Sequence, residues 1–504
     1  MPLLALVIPL AVLYVAVGLA TLTTFPLVWG DEGWYVQSAW AFLDEGRFTL
    51  PMLADFAGFD TDNVVYGRLY LAALSVAFAL GDTTPFFARA VSFLSGLVAL
   101  AALYGVGREL WSPRVGLLAV LLLAVSPVFV DQSHDARPEI MQLAVMLIAF
   151  YLLLRGLRLE RPLWLVAAGL VASLAADVHL NGLIAPMALA AVMVVLSASP
   201  RSLALFIAGA AIGGVWWLFV HVLPDIELFF EQTRAFGRPS PLAALAERPL
   251  VALGVDLAQY LRVDLGSLLM LVAGLVAGAV LLWRHRDPPL LGLVTYGLLL
   301  VLFGLVVVGN DTPIYAVLVW PVLVLLIARL AAVVDRRAAA GLVTALVVAS
   351  AASVGNMALR DRDADFDGYT SQLAAAIPPE ATVVGTPTTW FGFVGRPYIM
   401  AQYFTFTDPL AAEMRRLGVD YLIADEYVSE ILTHHLGQVS PEALESFLAD
   451  HGQVVAEVED PHYGRLQSRD DTMGGDPPFV TRVYRIEAAA PARSAGPIDR
   501  GSGG

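Results

Sequence analysis

Long apolar runs alternate with short polar loops from the first residues to about residue 357, and then they stop. A run of about 18 or more apolar residues reads as a membrane helix, because about 20 residues at 1.5 Å each cross the hydrocarbon. About eleven such segments are expected, near 3–24, 84–107, 115–131, 139–154, 163–178, 183–198, 203–223, 265–283, 289–308, 314–333 and 338–357. The first, Leu3 to Leu22, lacks a basic leader region and a small-x-small cleavage site, so it reads as a membrane helix rather than a signal peptide. Tyr70 to Leu80 is apolar for only about three turns, which suits an interfacial helix. After residue 358 the pattern becomes that of a small α/β domain, 359–487. Strands are expected in "ATVVGTP", "DYLIADEY", "QVVAEVED" and "FVTRVYRIE", and helices in "DPLAAEMRRLG" and "SPEALESFLADHG", the latter capped by Ser440. The tail, 488–504, has a disordered composition. The expected fold class is a mainly α polytopic membrane protein, residues 1–358, followed by this domain.

Composition agrees with that class. The chain is 58% hydrophobic with a mean hydropathy of +0.71, too apolar for a soluble enzyme. It has no cysteine, which excludes disulfides, thiolate metal sites and thiol catalysis. A net charge of −15 argues against nucleic acid as a partner. All 30 basic residues are Arg, the residue that clamps phosphate in a bidentate fork. Arg108 and Arg114, then Arg155, Arg158 and Arg161, then Arg201, Arg284, Arg286, Arg329, Arg336 and Arg337 occupy alternate loops. The intervening loops are acidic or neutral. The positive-inside rule therefore puts the Arg-rich loops in the cytoplasm, and the acidic loops and C-terminal domain outside the plasma membrane.

The first outer loop, about 25–83, opens with "WGDEGWYVQSAW". Asp31 and Glu32 suit the N-terminus of an interfacial helix starting near Gly33, where the macrodipole favours acids. That accounts for one carboxylate better than for two set among Trp29, Trp34 and Tyr35. A carboxylate in a partly dry site has a raised pKa and becomes a usable base.

The pair, its loop and the spans after it resemble the GT-C glycosyltransferases, in the branch of the protein O-mannosyltransferases and the lipid A aminoarabinose transferases. The matching stretches are "GDEGWYVQSAWAFLDEGRF", "TPFFARAVSFLSGLVALAALYGVGRELWSPRVGLLAVLLLAVSPVFV" and "SHDARPEIMQLAVMLIAFYLLLRG", over roughly residues 1–220. "GNDTPIYAVLVWPVLVLLIA", with Tyr315, is similar to a late span of that family. The resemblance implies a polyprenyl-phosphate sugar as donor, Asp31 as base and Glu32 as its neighbour, acting on a lipid, glycan or protein hydroxyl. Such a transfer needs a base for the acceptor proton, cations for the departing phosphate and a groove for the lipid tail. With one base, it inverts the anomeric carbon.

"DQSHDARPEI" crowds Asp131, His134, Asp135, Arg137 and Glu139 beside the membrane. Singly these are solvated loop residues; together they suit a second wall of the same pocket. Arg137 is the first candidate for the donor phosphate, since Arg is scarce among outer loops between spans. Arg89 is the second, because a charge inside a span is costly unless paired or functional; its plainer reading is snorkelling to the interface. Members of the family the chain resembles often carry a basic residue near Asn310 and Asp311. None stands there here, which brings in Arg68 and Arg262. His179, with Asn181, ends a span on the outer side, where a lone His is more often structural. Asp60 and Asp62 form an Asp-x-Asp that suits Mg²⁺ or Mn²⁺ and equally suits chance in an acidic loop. The run Asp361 to Asp367 reads as a solvated linker. The aromatics of "TTWFGFVGRPYIMAQYFTF" read as core or dock of the C-terminal domain rather than a sugar platform. Rival readings are a transporter or lipid flippase, and a non-catalytic scaffold. The charged groups gather at one face, and neither a repeat nor broken midplane helices are evident, which favours the enzyme.

Overall fold

The computed structural model of the chain describes residues 2–54, 56–235, 265–304, 313–401, 410–426, 428, 441–464 and 478–487. Two compact units emerge: Met1–Leu50 with Ala57–Asp363, and Pro51–Phe56 with Ala364–Gly504.

The first unit is helical: α1 (Pro2–Thr21), α2 (Gly30–Glu45), α3 (Arg68–Leu80), α4 (Pro85–Leu110), α5 (Pro113–Ala124), α6 (Pro127–Ser133), α7 (Glu139–Leu159), α8 (Pro162–Val178), α9 (Ile184–Val195), α10 (Pro200–Trp217), α11 (Ile226–Ala235), α12 (Leu265–Arg284), α13 (Pro288–Phe303), α14 (Trp320–Val333) and α15 (Arg336–Arg360). Each of the expected apolar segments carries a helix. Among the described residues five helices are long and apolar enough to cross a membrane unaided, and α5 with α6 makes a sixth if counted as one. That pair is bent by 69°, so the segment expected as a straight span over 115–131 is broken at Ser126-Pro127. Proline lacks an N–H and restricts the residue before it, so a helix ends there. The segment expected from 314 opens as a 3₁₀ turn, Pro313–Leu318, before α14.

Four helices frame the candidate site. Proline at the first turn, where its missing N–H costs nothing, starts α4 and α8. The α4–α7 and α7–α8 seams bury Leu103, Val106, Leu143, Leu147, Phe150 and Ala172 in one apolar core. α8 and α10 meet through glycines: a Cβ on Gly169 would lie 2.0 Å from Phe206 O, and one on Gly209 1.9 Å from Val166 O. Small residues let apolar helices approach to backbone contact where lipid offers no hydrophobic drive. At the end of α4, buried Glu109 accepts from Arg108 (3.1 Å), Arg155 (3.0 Å) and Arg158 (2.9 Å), which gathers two of the Arg-rich loops at one end of the bundle.

The second unit holds α16 (Phe366–Ala375), β1 (Val383–Gly385), β2 (Tyr398–Met400), α17 (Leu410–Arg416), β3 (Tyr421–Ala424), α18 (Pro441–His451), β4 (Gly452–Asp460) and β5 (Phe479–Ile486). The sheet order is β2-β1-β3-β5-β4, parallel across β2-β1-β3 and antiparallel beyond. The four expected strands form, and β2 is added. Asp365, expected in a linker, caps α16 by accepting from Gly368 N at 2.9 Å. Trp390 and Phe393 are buried, so these aromatics belong to the domain's core. Ser440 and residues 488–504 lie outside the described residues.

Candidate active site

α2 begins at Gly30, and Glu32 stands in its first turn, where it reaches back to accept from the N–H of Trp29 at 2.8 Å. The same carboxylate takes a bidentate fork from Arg89 on α4, with Nε and Nη2 both at 2.7 Å, and the N–H of Ala136 at 2.9 Å. Four donors thus converge on a carboxylate that is 0% exposed. Arg89, equally buried, gives its remaining fork to the carbonyls of Leu22 (2.8 Å) and Pro26 (2.7 Å). This pair pins together the exit of α1, the start of α2, α4 and the 134–138 turn. Arg89 is therefore neither snorkelling nor free to meet a lipid phosphate, since every nitrogen of its guanidinium is engaged. Arg89, expected to meet the donor phosphate, instead places its guanidinium on Glu32 and these two carbonyls.

Asp31 is the neighbouring residue with the opposite environment. Its side chain is 44% exposed and pairs with Nη1 of Arg137. Arg137 is 4% exposed and forks onto buried Glu139, Nη2 to Oε1 at 2.7 Å and Nε to Oε2 at 3.2 Å. Its guanidinium also lies over the Trp29 ring, 4.9 Å from the centroid. Ser92, one turn beyond Arg89, donates to the carbonyl of Arg137 at 3.1 Å and holds the turn to α4. Ser92 escaped the sequence reading, although its place three residues after Arg89 puts it on the same helix face.

Tyr35, Tyr315 and His179 gather round this acid–base rim. Tyr35 is buried, and burial pushes its phenol well above the usual range, while Arg137 opposes that and Glu139, Tyr315 and Asp31 add to it. Tyr315 packs on His179 with ring centroids 5.7 Å apart. Burial holds the His179 imidazole below its ordinary range; Glu139 pulls it up and Arg137 down.

His134 does not join this group. Its Nδ1 donates to Val130 O at 2.8 Å, its ring packs on Phe93 and Phe25, and burial drives its pKa down to about 4. It is buried at the end of α6. Asp135 is buried, with its carbonyl accepting from Arg137 N at 2.8 Å. Arg68, the first residue of α3, forks one nitrogen onto Asp62 at 3.2 and 3.4 Å, while its buried Nε has no hydrogen-bond partner among the described residues. Asp62 is thus committed to an arginine. Among the described residues no group of three or more His, Asp or Glu side chains converges on a point. Arg262, Asn310 and Asp311 lie outside the described residues.

The family model for dolichyl-phosphate-mannose-protein mannosyltransferase matches residues 68–224, a little under a third of the chain. No sequence among the curated proteins matches it. Among solved structures, ArnT from Cupriavidus metallidurans bound to undecaprenyl phosphate is similar at TM-score 0.64 and 17% identity, over 96% of this chain and 99% of that one. The oligosaccharyltransferase AglB from Archaeoglobus fulgidus, in complex with an inhibitory peptide and a dolichol-phosphate, is similar at TM-score 0.51 and 12% identity, over 88% of this chain and 72% of that one. The chain has the GT-C fold, the fold of these membrane glycosyltransferases.

Proposed function

We propose that the protein transfers a sugar from a polyprenyl-phosphate donor to a hydroxyl-bearing acceptor at the outer face of the plasma membrane. The observation that carries this reading is the contrast along one short stretch. Glu32, Arg89, Glu139 and Arg137 are walled in as a buried charged frame, and Asp31 alone among them presents an accessible carboxylate. A frame of that kind holds a base in fixed geometry, which a scaffold or a flippase does not need.

In the proposed step the acceptor oxygen attacks the anomeric carbon as Asp31 takes its proton. The bond between that carbon and the phosphate oxygen breaks, and the electron pair leaves with the polyprenyl phosphate. A single displacement of this kind inverts the anomeric centre. Arg137 orients Asp31 through the shared ion pair. Arg68, whose buried Nε–H has no partner among the described residues, is a cation suited to the departing phosphate. Tyr35 and Tyr315, beside this frame, offer hydroxyls to the substrate.

Mass spectrometry of lipid-linked sugars and envelope glycans, in cells with and without the protein, tests the reading. Loss of one glycan modification with build-up of one polyprenyl-phosphate sugar is expected. Unchanged profiles of both would overturn it.

A further inference from the structure

Gln142 is fully buried on α7, and among the described residues neither its amide nitrogen nor its amide oxygen has a hydrogen-bond partner. An orphaned buried polar group costs about 1–3 kcal/mol. A leucine or methionine would fill the same volume without that penalty, so the glutamine needs a reason.

Its direction is fixed by its neighbours. At about 100° per residue, Ile140 lies about +100° round α7 from Glu139, and Gly156 about −100°. Ile140 faces Gly96 of α4, and Gly156 faces Leu165 of α8. Gln142, three residues after Glu139, falls at about −60°, between the Glu139 face and the α8 face. Its height is fixed by the α7–α8 hairpin. Gln142 is 17 residues before Leu159 at the end of α7 (159 − 142), and His179 is 17 residues after Pro162 at the start of α8 (179 − 162). The two antiparallel helices therefore place Gln142 level with His179, which packs on Tyr315 and feels the charge of Glu139. Gln142 stands one turn below the Arg137–Glu139 pair, on the wall shared with His179.

We infer that Gln142 reads the sugar of the donor: its carbonyl accepts from one ring hydroxyl and its NH₂ donates to a neighbouring one. The inference rests on the transfer reading above and adds that the bound group is a hydroxyl-bearing sugar ring inserted below Asp31. A site that pairs a polar amide with hydroxyls discriminates strongly against a ligand lacking them, because the amide is otherwise left unpaired.

Two measurements on the full chain in detergent test this. Native mass spectrometry would compare binding of undecaprenyl phosphate with binding of its glucosyl, mannosyl and arabinosyl esters. The wild type is expected to prefer at least one ester over the bare phosphate. Gln142→Met, similar in length and apolar, is expected to bind the bare phosphate unchanged and to lose about ten- to hundredfold of that preference. Thermal unfolding is the second readout, and the variant should be at least as stable as the wild type, since it removes an orphaned amide. A variant that keeps the full preference, or one that is clearly destabilised, overturns the assignment, the amide then serving a bound water or the packing alone. A wild type that binds none of the four lipids overturns the transfer reading along with it.

Discussion

Removing the Glu32 carboxylate should cost far more stability than removing that of Asp31, although the two are adjacent. In Glu32→Leu, Arg89 becomes an uncompensated cation with no exposure, and the N–H groups of Trp29 and Ala136 lose their acceptor. Breaking a buried ion pair from one side costs about 3–5 kcal/mol. Arg89→Met should cost a similar amount, since it strands the carboxylate and frees the carbonyls of Leu22 and Pro26. The double variant Glu32→Leu/Arg89→Met removes both charges at once. It should fall short of the sum of the single losses by at least about 2 kcal/mol, though the stranded backbone groups keep it from being neutral. Denaturant unfolding in detergent, followed by tryptophan fluorescence, measures all three variants against the wild type. Single losses under about 1 kcal/mol, or strict additivity, would refute the view that this pair is the frame of the site.

Three further outcomes follow from the same geometry. His134 is buried with its pKa near 4 against 6.5 for the free side chain, so the unfolded chain binds the extra proton between those values. Stability from this group is complete above about pH 6.5 and is lost as pH falls towards 4; His134→Gln should flatten that part of a stability–pH curve. Gly67→Ala should lower activity more than it lowers melting temperature, because the new Cβ would lie 2.1 Å from Val178 O and push the start of α3, and Arg68 with it, out of place; kinetic assay beside thermal unfolding checks this. Glu139→Gln should slow transfer by about tenfold or more while leaving lipid binding intact, as it loosens the buried fork that sets Arg137 against Asp31.

The helices were legible because a membrane span must be apolar along its whole length, and that signal survives without any knowledge of packing. The break between α5 and α6 was legible in principle at Ser126-Pro127, but the apolar run continues across it and hides the bend. The identity of Arg89's partner was not legible. A charge within a span demands a counter-charge, yet Glu32 lies 57 positions earlier and only the folded bundle brings them together. Sequence proximity misled in the opposite direction at "DQSHDARPEI". The turn after α6 sends His134 into the core against Phe93 and brings Arg137 and Glu139 to Asp31. The aspartates of 361–367 read as a linker because a capping Asp and a solvated one are the same letter; Asp365 is distinguished only by the helix that follows it. β2, three residues long, is too short to carry a periodic signal.

The claim on which the account turns is that Asp31 takes the acceptor's proton during sugar transfer. The most direct measurement is single-turnover transfer by the protein in lipid nanodiscs, with its polyprenyl-phosphate sugar in place and the acceptor added, for the wild type and Asp31→Asn. The account predicts that the variant keeps its fold and its bound donor and that its transfer rate falls by about 10²–10⁴. A variant that binds donor normally and transfers within a few-fold of the wild-type rate would contradict it.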